Sequence, residues 1–252
     1  MIEVLVPGIL SSVQDSGRHG YRVYGVPRSG ALDLYSYMVA NSLVGNDADE
    51  ACIEVIGGLF KFRALEETTL AVTGAEVQVK VNGEQAKTWE PINLDAGALV
   101  EIGIPLKGFI TYFAFSGGIE VEPVLGSKST YLMGKFGGLE GRQLKRGDKL
   151  RLGKPKSEPR HEKLEKPTLP SLKDIVEVRA TLGTHADLFP SLEAFFGQEF
   201  VVTPESNRMG YRLKGSPIEY EGGGRVPSFP ILEGFVQIPH GGQPIVLSLI
   251  HI

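Results

Sequence analysis

Short apolar runs, each stopped by glycine or proline, recur along the first half of this 252-residue chain. "IEVLVPG" opens it, and "TTLAVTG", "VQVKVNG", "ALVEIGI" and "FITYFAFSGG" follow between residues 68 and 118. Glycine inside a helix costs about 1 kcal/mol relative to alanine, and proline about 3 kcal/mol. Runs this short and this interrupted cannot bury a helical face, but they match the usual length of a strand. With 32 glycines, 16 prolines and no collagen-like period, the chain is expected to be mainly β, with tight turns and a few helices. One hairpin is legible residue by residue. Val77, Val79 and Val81 alternate, and Asn82-Gly83 supplies the positive φ angles of a type I′ turn.

The exceptions to this pattern are two helical stretches. Residues 31 to 44 carry Leu32, Tyr35, Val39 and Leu43 near one face, with Ser29 or Gly30 placed to cap the start and Gly45-Asn46 to end it. A second helix is expected over about Leu188 to Phe196. Between them the composition breaks. "GKPKSEPRHEKLEKPTLPSLKD", residues 153 to 174, holds ten charged residues and four prolines among 22. Such a stretch cannot bury a face and reads as a linker. The expected organisation is a first β unit over 1–152, a linker over 153–174 and a smaller β unit over 175–252.

The two units echo one another. Asp15 to Pro27 and Glu205 to Pro217 align over thirteen positions, of which seven are identical, from Ser16/Ser206 and Arg18/Arg208 to Pro27/Pro217. Upstream, "EVLVPG" faces "EVRATLG"; downstream, "ALVEIGIPLKGFITYF" faces "GFVQIPHGGQPIVLSL". Three pieces in the same order indicate two copies of one β-rich unit, the first enlarged by the helix and the hairpin.

Charge and composition exclude several classes of function. The net charge is −4 with acids and bases interspersed, unlike the basic stripe of a nucleic-acid binder. No run approaches the eighteen apolar residues of a membrane span. The N-terminus lacks a basic region before its apolar run. The one cysteine, Cys52, allows no intrachain disulfide, in keeping with a cytoplasmic protein. The five histidines, at 19, 161, 185, 240 and 251, show no metal-ligand spacing, so no metal site is expected.

Two stretches carry candidate chemistry. "QDSGRHGYRVYGVPRSGALD" sets Asp15, Arg18, Tyr21, Arg22, Arg28 and Asp33 among glycines. Arginine offers a planar fork to a carboxylate, a phosphate or a carbonyl oxygen. Asp15 beside Arg18 is either an internal ion pair that fixes the loop or part of a site. Arg28 and Asp33 have no counterpart in the second copy, which favours function for them. "VLGSKSTY" resembles a phosphate loop but lacks the upstream glycine that G-x-x-x-x-G-K-[ST] requires. Gly126, Ser127, Lys128 and Ser129 can still form a different anion-binding turn, from backbone amides, hydroxyls and an ammonium. A plain surface turn is the alternative. "KFGGLEGRQLKRGDKL" reads as a solvated loop.

These same stretches carry a resemblance. "VQDSGRHGYRVYGVPRSGALD", "GGIEVEPVLGSKSTYLMGKFGGLEGRQLKRGD", "SNRMGYRL" and "VQIPHGGQPIVL" resemble the carboxyltransferase-domain family of biotin-dependent type. This group is variously labelled allophanate hydrolase subunit 2, the KipA-type antagonist of a kinase inhibitor, and the C-type component of 5-oxoprolinase. The resemblance implies two related cyclophilin-like β-barrel units. It also implies a B-type, KipI-like cyclophilin-like partner subunit and, in 5-oxoprolinase, a third subunit. The activity it implies is the ATP-dependent opening of 5-oxo-L-proline to L-glutamate. The alternatives are a biotin-dependent carboxyltransferase component, with biotin carried on another protein, or a non-catalytic antagonist. In the first case Asp15, Arg18, Arg28 and Asp33 are the catalytic candidates, and Gly126 to Ser129 are the candidates for binding ATP. Family members usually continue after "GQPIVL" with a segment like A-D-x-Q-T-x-G-G-Y, where this chain has "SLIHI". The second unit is therefore expected to be shortened, with an unpaired strand edge.

Overall fold

The computed structural model describes residues 1–157, 175–191, 193–221 and 231–248. Most of the expected linker, residues 158–174, and the closing residues 249–252 lie outside these. The chain divides into two compact units, one of residues 1–19 and 29–173, the other of residues 20–28 and 174–252.

The first unit is built on strands β1 (Ile2–Pro7), β2 (Leu10–Gln14), β3 (Cys52–Ile56), β4 (Phe60–Ala64), β5 (Thr68–Glu76), β6 (Val79–Val81), β7 (Glu84–Ala86), β8 (Pro91–Leu94), β9 (Leu99–Ile102), β10 (Lys107–Phe115), β11 (Ile119–Glu120) and β12 (Lys149–Leu152), with one helix among the described residues, α1 (Leu34–Leu43). They form two antiparallel sheets, in the orders β11-β12-β1-β4-β9-β6-β7 and β2-β3-β10-β5-β8. The first strand pairs with the last, Ile2 opposite Leu150 and Glu3 opposite Lys149. Inward residues of both sheets fill one core. Phe60, Phe62, Phe113 and Phe115 are fully buried in it, with Phe62 edge-on to both Phe113 and Phe115.

Strand β10 shows why its sequence is apolar almost throughout. Phe113 and Phe115 face the main core, whereas Tyr112 and Ala114 pack with Tyr37, Ala40 and Leu43 of α1. A strand covered on both faces cannot alternate apolar with polar. The Asn82-Gly83 hairpin forms as expected: β6 pairs with β7, Val81 opposite Glu84, and both turn residues have positive φ, 53° and 89°.

The start and face of α1 differ from the expectation. Ser29 and Gly30 adopt positive φ, 55° and 94°, so they make a left-handed turn before the helix instead of capping it. The N-cap is Asp33, whose side chain accepts from the Ser36 amide. The buried face carries Ser36, Tyr37, Ala40, Asn41 and Leu43, while Tyr35 is 45% exposed. Polar side chains can lie inward here because Tyr37 Oη and Asn41 Nδ2 both donate to the Glu50 carbonyl at 2.8 Å, which satisfies them.

The second unit holds a four-stranded antiparallel sheet, β13 (Val201–Val202), β14 (Gly210–Lys214), β15 (Val236–Gln237) and β16 (Ile245–Leu247), in the order β13-β14-β16-β15. Of the helix expected over about 188–196, in which Leu192 lies outside the described residues, there is a 3-10 turn at Ala186–Leu188 and a single helical turn, α2 (Glu193–Phe196). The echoed phrase takes different shapes in its two copies. Gly210–Lys214 is a strand, whereas Arg22–Tyr24 is an exposed 3-10 turn. Arg18 and Arg208, the aligned arginines, are both buried. The fold is thus mainly β with two helices among the described residues.

Candidate functional site

The site is built where β2 ends. Residues 124–130 run alongside that end, held by Thr130, whose amide and hydroxyl both donate to the Val13 carbonyl at 2.9 Å. Gln14 adds a bond from Nε2 to the Thr130 carbonyl at 3.3 Å. Leu125 and Gly126 turn the chain with positive φ, 53° and 73°, and Val124 and Ser127 close that turn by exchanging backbone hydrogen bonds. This brings Ser127, Lys128 and Ser129 to Asp15.

The "anion" of the anion-binding turn is the chain's own Asp15. Its Oδ1 accepts from Ser127 Oγ at 2.7 Å, from the Gly17 amide at 2.7 Å and from Ser129 Oγ. Its Oδ2 accepts from the Lys128 amide at 2.5 Å. The Asp15 amide returns a bond to Ser129 Oγ at 3.0 Å. A buried carboxylate with this many donors is fully compensated for the loss of water.

Arg18 makes no salt bridge to this carboxylate among the described residues. It is buried and donates from Nη2 to the Ser129 carbonyl at 2.6 Å and from Nε to the Val124 carbonyl at 3.3 Å. Its guanidinium lies 4.9 Å from the centre of the Phe136 ring, a cation–π contact. Burial lowers its pKa, and the charge of Asp15 opposes that. Nη1 is buried with no hydrogen-bond partner among the described residues. The approach is close enough to require glycine at 137: a Cβ there would lie 2.2 Å from the Ser129 carbonyl oxygen and 2.7 Å from Arg18 Nη2.

Lys128 is held at both ends. Its amide belongs to Asp15, and its ammonium pairs with Glu50 Oε1, just before β3. The Lys128 side chain is 28% exposed, which makes it the accessible cation of the cluster. Cys52, two residues on from Glu50, offers no nucleophile: it is fully buried, and burial pushes its thiol pKa up.

The structure thus gathers Asp15, Arg18 and Gly126 to Ser129. It does not bring Asp33 to them. Both Asp33 oxygens are spent at the start of α1, Oδ1 accepting from the Ser36 amide at 3.1 Å and Oδ2 from Ser36 Oγ. Arg28 belongs to the other unit and is half-buried. Tyr21 and Arg22 lie in that unit's exposed turn region. Glu50 and Phe136 were invisible in the sequence. Glu50 sits in "NDADEA", which matches no motif, and Phe136 sits in the stretch read as a solvated loop.

The donors decide what this turn can hold. Both hydroxyls and the Lys128 amide are already committed to Asp15, so the turn does not fit the several anionic oxygens of a triphosphate. Of the side-chain donors, one ammonium, shared with Glu50, is left for a ligand. Among the described residues no three of His, Cys, Asp and Glu are grouped to hold a metal, and no helix is long and apolar enough to cross a membrane.

A mainly β chain of two units, with a loop locked on a buried aspartate, is the setting for the family assignment. Residues 24–249 match the family described as carboxyltransferase domain, subdomain A and B, and the chain belongs to that family. It is 37% identical to the C-type component of 5-oxoprolinase from Escherichia coli, over 98% of this chain and 79% of that one. It is also 37% identical to the urea amidolyase of Saccharomyces cerevisiae, over 85% of this chain but 12% of the yeast enzyme. The crystal structure of Kluyveromyces lactis urea carboxylase superposes with a TM-score of 0.85 at 32% identity, covering 99% of this chain and 24% of that one.

Proposed function

We propose that this chain is the C-type component of an ATP-dependent 5-oxoprolinase, which opens 5-oxo-L-proline to L-glutamate together with a B-type subunit and a third subunit. The observation that carries the reading is length as well as identity: the match to the E. coli protein spans 98% of this chain and 79% of the relative. The urea amidolyase match, by contrast, takes up 12% of a much longer enzyme.

In this reading the lactam oxygen takes the terminal phosphoryl group of ATP. Water then adds to the activated ring carbon, the carbon–nitrogen bond breaks as the nitrogen takes a proton, and a second water splits the resulting acyl phosphate into the carboxylate and inorganic phosphate. Such chemistry needs cations beside developing negative charge. We assign Lys128 to the substrate's anionic group, because it is the accessible cation. Asp15 and Arg18 act as positioning residues: Asp15 sets the Lys128 backbone, and Arg18 holds Ser129 and Val124 in place. Arg28 is kept as a second candidate cation, and Asp33 acts by starting α1. Because the amides of 127–129 and both serine hydroxyls are used internally, we assign ATP to the partner subunits.

The test is reconstitution. The chain, the B-type subunit and the third subunit together are expected to hydrolyse ATP only when 5-oxo-L-proline is present, releasing glutamate. An assembled complex with no such dependence removes the proposal. The carboxyltransferase reading is favoured by the urea carboxylase superposition. It predicts decarboxylation of a carboxylated biotin analogue, an activity the first reading does not need.

A further inference from the structure

We infer that Glu50 gates the Lys128 ammonium, occupying in the free chain the place that a small ligand's carboxylate takes on binding. This rests on the assignment of Lys128 to the substrate's anionic group.

Four observations carry it. First, the Lys128 backbone cannot drift, since its amide is bound to Asp15 Oδ2 at 2.5 Å; only its side chain is free to choose a partner. Second, Glu50 is held in place from its own side. Its carboxylate accepts from the Ala51 amide at 3.1 Å, and its side chain is 13% exposed. It lies over Gly118, where an added Cβ would stand 2.1 Å from Glu50 Cγ, so a side chain at 118 would push the carboxylate off Lys128. Third, Glu50 has a second cation in reserve. Its Oε2 is 3.8 Å from Lys156 Nζ, and Lys156 also pairs with Asp47 at 2.5 Å. When Lys128 turns to a ligand, Glu50 keeps a counter-charge, which lowers the cost of exchange. Fourth, the ligand chemistry is limited by supply. One ammonium, with the Ser127 and Ser129 hydroxyls and the 127–129 amides already bonded within the chain, suits a single carboxylate, such as the one on 5-oxo-L-proline, better than a phosphate group.

The experiment is trace acetylation of lysines in the full chain, followed at Lys128 by peptide mass spectrometry. In the native chain, 5-oxo-L-proline is expected to slow acetylation of Lys128 in a saturable way, and inorganic phosphate to do so less at equal concentration. In Glu50→Gln, Lys128 should react faster without ligand, and the half-saturating concentration of 5-oxo-L-proline should fall roughly two- to fivefold, the scale of a partly exposed ion pair. Lys156→Met removes the reserve partner and should raise that concentration, and it serves alone if Glu50→Gln does not fold. Equal half-saturation in the native chain and in every folded variant overturns the gate, as does absence of protection by 5-oxo-L-proline. The readout does not depend on turnover. Protection without ring opening by the complex would overturn the enzymatic reading and leave the gate, whereas ring opening without protection would overturn the gate alone.

Discussion

Asp15→Asn keeps the volume of the side chain and turns one acceptor oxygen into a donor. The amide then faces a site furnished with donors, from Gly17, Ser127, Lys128 and Ser129. A buried polar group left without its partner costs about 1–3 kcal/mol, and the loss of charge-assisted bonds puts this variant at the upper end. Urea unfolding should show that loss, and limited proteolysis should cut within 124–130 sooner than in the native chain. A variant of native stability that has lost activity would make Asp15 catalytic instead. At this scale the sequence was half legible. Aspartate, arginine and glycine in one phrase left an internal ion pair or a site open, and "GSKS" left an anion-binding turn or a plain surface turn open. That the two would bind each other was out of reach, because 112 residues separate Ser127 from Asp15 and no local pattern spans them.

Among the elements, α1 offers the sharpest test. Asp33→Ala removes the N-cap and should lower stability by about 1 kcal/mol. Activity of the reconstituted complex should fall only as far as the folded fraction falls. A loss of turnover well beyond that would return Asp33 to the catalytic group. The helix was legible as an element but not in its face. Tyr37 and Asn41 turn inward because the Glu50 carbonyl is there to meet them, a tertiary fact that periodicity cannot contain. The Asn82-Gly83 hairpin was legible to the residue, since its turn chemistry and its alternation are both local. The helix expected near 188–196 appears among the described residues only as Glu193–Phe196, because its aromatic side chains go to separate partners, Phe189 to Tyr220 and Phe195 to Phe200, instead of forming one helical stripe.

For the whole molecule, glycine and proline spacing was enough to read a mainly β chain, because strand length and turn chemistry are set within a few residues. The pairing of strands was not readable. Ile2 opposite Leu150 is a choice among partners that the pattern of each strand leaves equal. The pairing also has a consequence for the order in which the chain can fold. As the chain is made, β1 emerges with one of its two neighbours, β4, close behind it, but the other edge waits for β12, which begins only at Lys149. Contacts this far apart form slowly, and until then β1 presents an open strand edge able to pair with the wrong chain. A nascent chain arrested before Lys149 should therefore remain protease-sensitive and self-associate, whereas one extended past Gly153 should become resistant. Resistance in the shorter chain would show that β12 seals a unit already formed.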